Sequence, residues 1–243
     1  MKKIILFLNI FLCLNLQAND SLFINANQDY ANQSYSLAID KYQSIISSGT
    51  ESSELYYNLG NSYYRVNEIH QAIYFYEKSL KINPNFTEAI ENLELCNQLL
   101  IDKIEKMPEI FYKIYYENLK NFLSIKWWKI TSLIFIWIYF LFYLTKILFK
   151  KRFNFSQNIF LVFSLLFFVI YQDISNDSLE NKEAIIFSQV IDIMSAPSNQ
   201  ANKLFTLHIG SKVTINDQIE NWVNISLANG SKGWVALRHL KEI

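Results

Sequence analysis

Charge vanishes from two parts of the chain. Ile130 to Thr145 carries none, and Lys146 is close enough to the end for its ammonium to snorkel to a headgroup layer, so the apolar run extends over 130–149. A second uncharged run covers 153–172, from Phe153 to Gln172. About 20 apolar residues cross a hydrocarbon layer, so each run predicts a transmembrane helix in preference to a hairpin buried in a soluble core. Lys150-Lys151-Arg152 joins them at 150–152, and short basic loops stay in the cytoplasm. Both flanks of the pair are therefore expected on the opposite side. A shorter apolar run, Ile4 to Leu16 after Met1-Lys2-Lys3, reads as a signal peptide over 1–18, with Gln17-Ala18 at the processing point. Export of the N-terminal segment and the basic loop predict the same topology.

Over 19–106 the apolar spacing becomes helical, and it repeats. Ala38-Ile39 and Tyr42 return 34 positions later as Ala72-Ile73 and Tyr76. The clearest copy reads Tyr56-x-x-Leu59-Gly60-x-x-Tyr63, then Ile69, Ala72, Tyr76, Ser79 and Pro84. Gly60 and Ala72 are small where two antiparallel helices would approach, the large residues fill the space between them, and Pro84 denies the second helix a donor. This pattern resembles the tetratricopeptide repeat. A weaker copy precedes it and a closing helix from Thr87 follows, so the array is short of the three units that such repeats usually need. The inner faces of the first helices are expected to carry Phe23, Asn27, Tyr30, Tyr57, Asn58, Asn61, Tyr64 and Arg65, a surface of rings and amides suited to a peptide. Carboxylate-clamp versions of the repeat place asparagines where Asn27 and Asn58 stand. Their basic residues are replaced here by Phe23, Glu88 and Asn92, which argues against capture of a C-terminal carboxylate.

Between the array and the first span, 107–129 has an apolar face of Ile110, Phe111, Ile114, Tyr115, Leu119, Phe122 and Leu123, followed by Trp127-Trp128. It predicts a helix that either lies in the headgroup layer or packs on the array. After a linker at 173–183 the code changes to short β-rich runs across 184–243. Ala184-Ile185-Ile186-Phe187, Val190 to Met194, Lys212 to Ile215, Trp222 to Ile225 and Gly233-Trp234-Val235 are separated by turn chemistry such as Asn229-Gly230. The order resembles bacterial SH3-like domains, which implies a small barrel of five strands. Trp234 is expected in its core, with Trp222 half exposed as the candidate ligand face.

Composition narrows the function. Lys plus Arg and Asp plus Glu each number 22, which removes the electrostatic case for nucleic acid. Cys13 falls in the signal segment, and Cys96 sits among leucines on a repeat helix where a buried, inert thiol is expected. The histidines, His70, His208 and His239, lack motif neighbours, and the five glycines are too scattered to cradle a phosphate. No catalytic, metal or cofactor site is predicted.

Taken in order, these parts form a multi-domain membrane protein: an α-helical tetratricopeptide array, two transmembrane helices and a C-terminal all-β SH3-like barrel. Through Glu54 to Tyr64, the double span, Ala184 to Phe187, Phe205 to Val213 and Gly233 to Val235, the whole chain resembles the BatE-type proteins of the bacterial aerotolerance (Bat) operon. That resemblance implies a multi-pass inner-membrane protein with both terminal domains in the periplasm. It also implies von Willebrand A-type membrane proteins as partners, in a set linked to oxidative-stress tolerance. The expectation is a non-enzymatic scaffold in the lipid bilayer. The alternatives are a peptidoglycan-binding anchor acting through the barrel and a thiol sensor acting through Cys96.

Overall fold

The computed structural model describes residues 20–105, 107–108, 110–149, 156–180 and 182–243. The predicted signal peptide and the loop Lys150-Lys151-Arg152 lie outside the described residues. The chain divides into two compact units, one formed by the residues up to 105 together with 183–243, the other by 106–182.

In the first unit, five helices precede the sheet: α1 (20–31), α2 (Tyr35–Ser47), α3 (Ser53–Arg65), α4 (Ile69–Ile82) and α5 (Thr87–Leu99). Ser52 caps α3 by accepting from the Leu55 N–H at 3.1 Å, Glu54 stands in its first turn and Arg65 in its last, each complementing the helix dipole. Pro84 follows the end of α4. The small residues do what their spacing predicts: a Cβ on Gly60 would meet the Tyr76 ring at 2.7 Å. Leu55, Leu59, Ala72, Ile73 and Tyr76 are buried in the core between the helices. Each large aliphatic side chain buried in this way contributes about 1.5–3 kcal/mol. Ser53 and Ser79 are also buried there. Ser53 Oγ donates to the Ser79 carbonyl at 3.1 Å and Ser79 Oγ to the Ser53 carbonyl at 2.8 Å, tying α3 to α4.

The C-terminal sheet has seven strands among the described residues, where five are predicted: β1 (Lys182–Ile186), β2 (Val190–Met194), β3 (Lys203–His208), β4 (Lys212–Ile219), β5 (Trp222–Ser226), β6 (Lys232–Ala236) and β7 (Leu240–Glu242). Their order is β3-β2-β6-β5-β4-β1-β7, which has two ends, so the sheet is not closed as the expected barrel would be. Alternation buries one face, with Ile191 and Ile193 on β2, Val213 and Ile215 on β4, Val223 and Ile225 on β5, and Val235 on β6. The same period corrects the expectation for Trp234. Gly233 and Val235 point inward, so Trp234 stands on the opposite face, half-buried, and the core is aliphatic.

The array and the sheet are not separate modules. Strand β1 is buried on both faces: Ala184 and Ile186 join the sheet core, while Ile185 joins the core of the helices. Gly210, at φ +90°, sits where an added Cβ would lie 2.5 Å from Leu100 Cδ2. The polar part of the joint centres on Asp102. Its carboxylate accepts from the His208 backbone N–H at 2.7 Å, from Ser211 Oγ at 2.6 Å, and lies 2.8 Å from His208 Nδ1. Lys212 bridges Glu77 on α4 and Glu183 on β1, each at 2.8 Å. Phe187 meets His70 and Tyr74 edge-on.

The second unit holds α6 (Phe111–Asn121), α7 (Ile125–Phe149) and α8 (Ser156–Glu180). Helix α7 begins before the expected 130, and α8 continues through most of the expected linker. Both are long and apolar enough to cross a membrane. They meet along an aromatic seam in which the Phe135 ring lies 5.2–6.1 Å from those of Phe160, Phe163 and Phe167. Ser132 Oγ and Ser164 Oγ each donate to the other's carbonyl at 3.0 Å. Outward-facing Leu133, Trp137, Leu141, Val162, Leu165 and Val169 are exposed. Helix α6 joins the pair through Lys120, which is buried and 3.1 Å from Asp173, and through the Trp128 indole N–H, which donates to the Lys120 carbonyl at 2.9 Å. Phe111, Tyr115 and Phe122 remain exposed.

Candidate functional site

Helices α1, α3 and α5 present their facing sides in succession, and a hydrogen-bond pattern repeats across them at the 34-residue period. Tyr42 Oη donates to Asn27 Oδ1 at 2.5 Å, and Asn58 Nδ2 donates to the same oxygen at 3.0 Å. One repeat on, Tyr76 Oη donates to Asn61 Oδ1 at 2.7 Å and Asn92 Nδ2 to that oxygen at 2.9 Å. The second helix of each repeat thus supplies a buried phenol, and the amides of two neighbouring first helices close around it. Burial pushes the Tyr42 phenol up to about 12 and raises that of Tyr76 further, so both stay protonated donors.

This ladder sorts the predicted groove residues. Asn27 and Asn58 spend their polar groups on each other and on Tyr42, and Phe23 packs on the Tyr42 ring with centroids 5.9 Å apart. Tyr30, Tyr57, Asn61, Tyr64 and Arg65 instead line a cavity of about 300 Å³ with Tyr76, Asn92 and Leu95. Arg65 Nε donates to Tyr30 Oη at 3.4 Å, holding a cation at the rim. Tyr64 and Leu95 are 38% and 50% exposed, so the cavity offers ring and aliphatic surface beside one guanidinium. Asn92, expected only as the residue replacing a clamp cation, and Leu95 lie outside the eight predicted groove residues; the spacing of Asn92 from Asn58, which equals that of Asn61 from Asn27, is the signal that finds Asn92.

Residues 53–86 match the Tetratricopeptide repeat family. A tetratricopeptide repeat indicates a protein-interaction module, and the cavity lies on the face formed by its first helix and the helices on either side. No curated protein matches the chain.

The remaining candidates fall elsewhere. Trp222 lines a separate cavity on the sheet. His208 and His239 do not pair: His208 contacts Asp102, and His239 Nδ1 lies 2.6 Å from Ser188 Oγ. Cys96 is fully buried, and that burial pushes its thiol up to about 11, so very little thiolate exists at neutral pH.

Proposed function

We propose that the protein is a non-enzymatic scaffold, tethered in a bacterial inner membrane by α7 and α8, whose tetratricopeptide groove holds a segment of a partner protein. The observation that carries the reading is the groove itself. Its amides are consumed by the internal ladder, which leaves Tyr64, Leu95 and Arg65 as the exposed chemistry. Such a surface selects bulky side chains and one acidic group rather than a free C-terminal carboxylate held by paired asparagines.

The tether is supported by the apolar outer faces of α7 and α8, which expose side chains that water disfavours. Connectivity supports the topology. The segments before and after the hairpin build one folded body, so a bilayer crossed by both helices leaves that body wholly on one side. The exposed rings of α6 fit the headgroup layer. The resemblance to BatE-type proteins proposes von Willebrand A-type membrane proteins as the partners and the periplasm as the side.

Crosslinking in native membranes tests the groove. Tyr64→Ala, Arg65→Ala and Leu95→Ala combined change exposed or rim positions and spare the ladder. Loss of the crosslinked neighbours is the expected result, and retention of every neighbour would overturn the proposal.

A further inference from the structure

A second cavity, of about 320 Å³, opens on the sheet. Trp222 and Val190 supply apolar wall, and Arg238 and His239 stand beside them. The guanidinium is held in place. Arg238 Nε donates to His239 Nε2 at 3.2 Å, and the other ring nitrogen lies 2.6 Å from Ser188 Oγ. An imidazole that accepts at Nε2 carries its proton on Nδ1, so Ser188 is the acceptor in this relay. Burial, and then the charge of Arg238, hold His239 below the ordinary imidazole range, which keeps that lone pair free at neutral pH.

The charges at the cavity are unequal. Asp192 also lines it, but its carboxylate is taken up by Lys203 Nζ at 2.7 Å and by Thr206 Oγ1 at 3.2 Å. Arg238 has no carboxylate partner among the described residues. The site is therefore an apolar cleft with one oriented, unneutralised cation.

We propose that this cavity is a second protein-binding site, taking an acidic linear peptide with a bulky apolar side chain against Trp222 and Val190 and a carboxylate on Arg238. The terminal nitrogens of a guanidinium match a carboxylate in a two-point contact, and an indole wall suits a ring or branched chain. The site lies on the sheet and uses no residue of the repeat groove, so it stands or falls separately from the groove.

The test uses the full chain in detergent and fluorescence anisotropy with two capped octapeptides. One alternates phenylalanine with aspartate; the other carries asparagine for each aspartate. Saturable binding of the acidic peptide is expected, with the amide version about tenfold weaker. Arg238→Gln should erase that difference, Arg238→Lys should restore part of it, and Trp222→Ala should weaken both peptides. All of these proteins also carry Tyr64→Ala, Arg65→Ala and Leu95→Ala, so that the repeat groove, which selects similar side chains, does not contribute to the signal. Arg238 is exposed, so its variants should keep the parent's thermal midpoint. Equal affinity for the two peptides would overturn the proposal, as would an acidic preference that survives Arg238→Gln. Sedimentation with purified peptidoglycan is the competing arm: Arg238-dependent capture of wall material, with neither peptide bound, would assign the cavity to the wall instead.

Discussion

Two pairs of antiparallel helices in this molecule share one device and differ in everything around it. Helices α3 and α4 are tied by Ser53 and Ser79, and α7 and α8 by Ser132 and Ser164, each hydroxyl donating to the backbone carbonyl of the opposite helix. In the first pair the serines sit among buried rings, and the exposed positions are the charged Glu54, Arg65 and Lys81 beside Tyr64 and Ile82. In the second they are among the few buried polar groups, and the outward positions are leucine, valine, isoleucine and tryptophan. A small hydroxyl residue lets two helices approach closely and satisfies itself in either setting. The contact alone therefore says nothing about the solvent outside, and the outward face carries that information.

The largest effect is expected from a cavity in the core of the first unit. Ile73 is fully buried among the array residues. Ile73→Ala should cost about 2–5 kcal/mol, read as a fall in the unfolding midpoint of the full chain. Leu165→Ala, at an exposed position of α8, should change stability by no more than about 0.5 kcal/mol. The outward face is sharpened by charge. Leu165→Lys stands near the middle of α8's apolar stretch and should cost about 2.5–3.5 kcal/mol of membrane insertion. Extraction of this variant from membranes by alkaline carbonate measures it, and a variant that stays integrated as firmly as the parent would argue that lipid does not cover this face.

The joint between array and sheet comes next. Asp102→Asn should destabilise the body by about 1–3 kcal/mol by weakening its hydrogen bonds to His208 and Ser211. Burial raises the Asp102 carboxyl, but the hydrogen bonds from Ser211 and His208 and the nearby imidazole outweigh it and leave the group below the ordinary carboxylate range. The folded value thus lies under the unfolded one. The contribution is fully present above the unfolded carboxylate value of about 3.9 and drains away as pH falls through the lower folded value. The parent should lose this increment only in acid, and Asp102→Asn should flatten that limb of a stability-versus-pH curve. The smallest effects belong to the serines themselves. Ser79→Ala should cost about 1 kcal/mol in the first unit, and Ser164→Ala about 0.6 kcal/mol in the second if α7 and α8 lie in lipid as proposed, because partners in a membrane-embedded reference state would compensate.

Much of this was legible in the residues. The 34-residue period located the repeat, and it predicted the close approach at Gly60 and the stop at Pro84. Five of the eight predicted groove residues line the cavity. Asn27 and Asn58 have the right residue type for a ligand clamp, yet they are engaged internally, because the Tyr42 phenol and the Asn58 amide both donate to Asn27 Oδ1. The size of Trp234 predicts a core position, whereas the pleat puts the smaller Gly233 and Val235 there. Strand β7 is only three residues long, too short for alternation to register, and β3 lacks a clean one.

What the sequence settled by itself was local: helical and strand periods, small residues at crossings, and two apolar stretches of membrane length. These follow from interactions between residues a few positions apart, or one repeat apart, and leave a periodic trace. The tertiary structure alone decided that the array and the sheet share one body and that Asp102 joins them, more than a hundred residues from His208 and Ser211. The run Ala184-Ile185-Ile186-Phe187 predicts a strand, but a continuous apolar run does not name its partners, and burial of that strand on both faces emerges only from the fold. Which surfaces meet depends on complementary shape between distant segments, and no period along the chain encodes that.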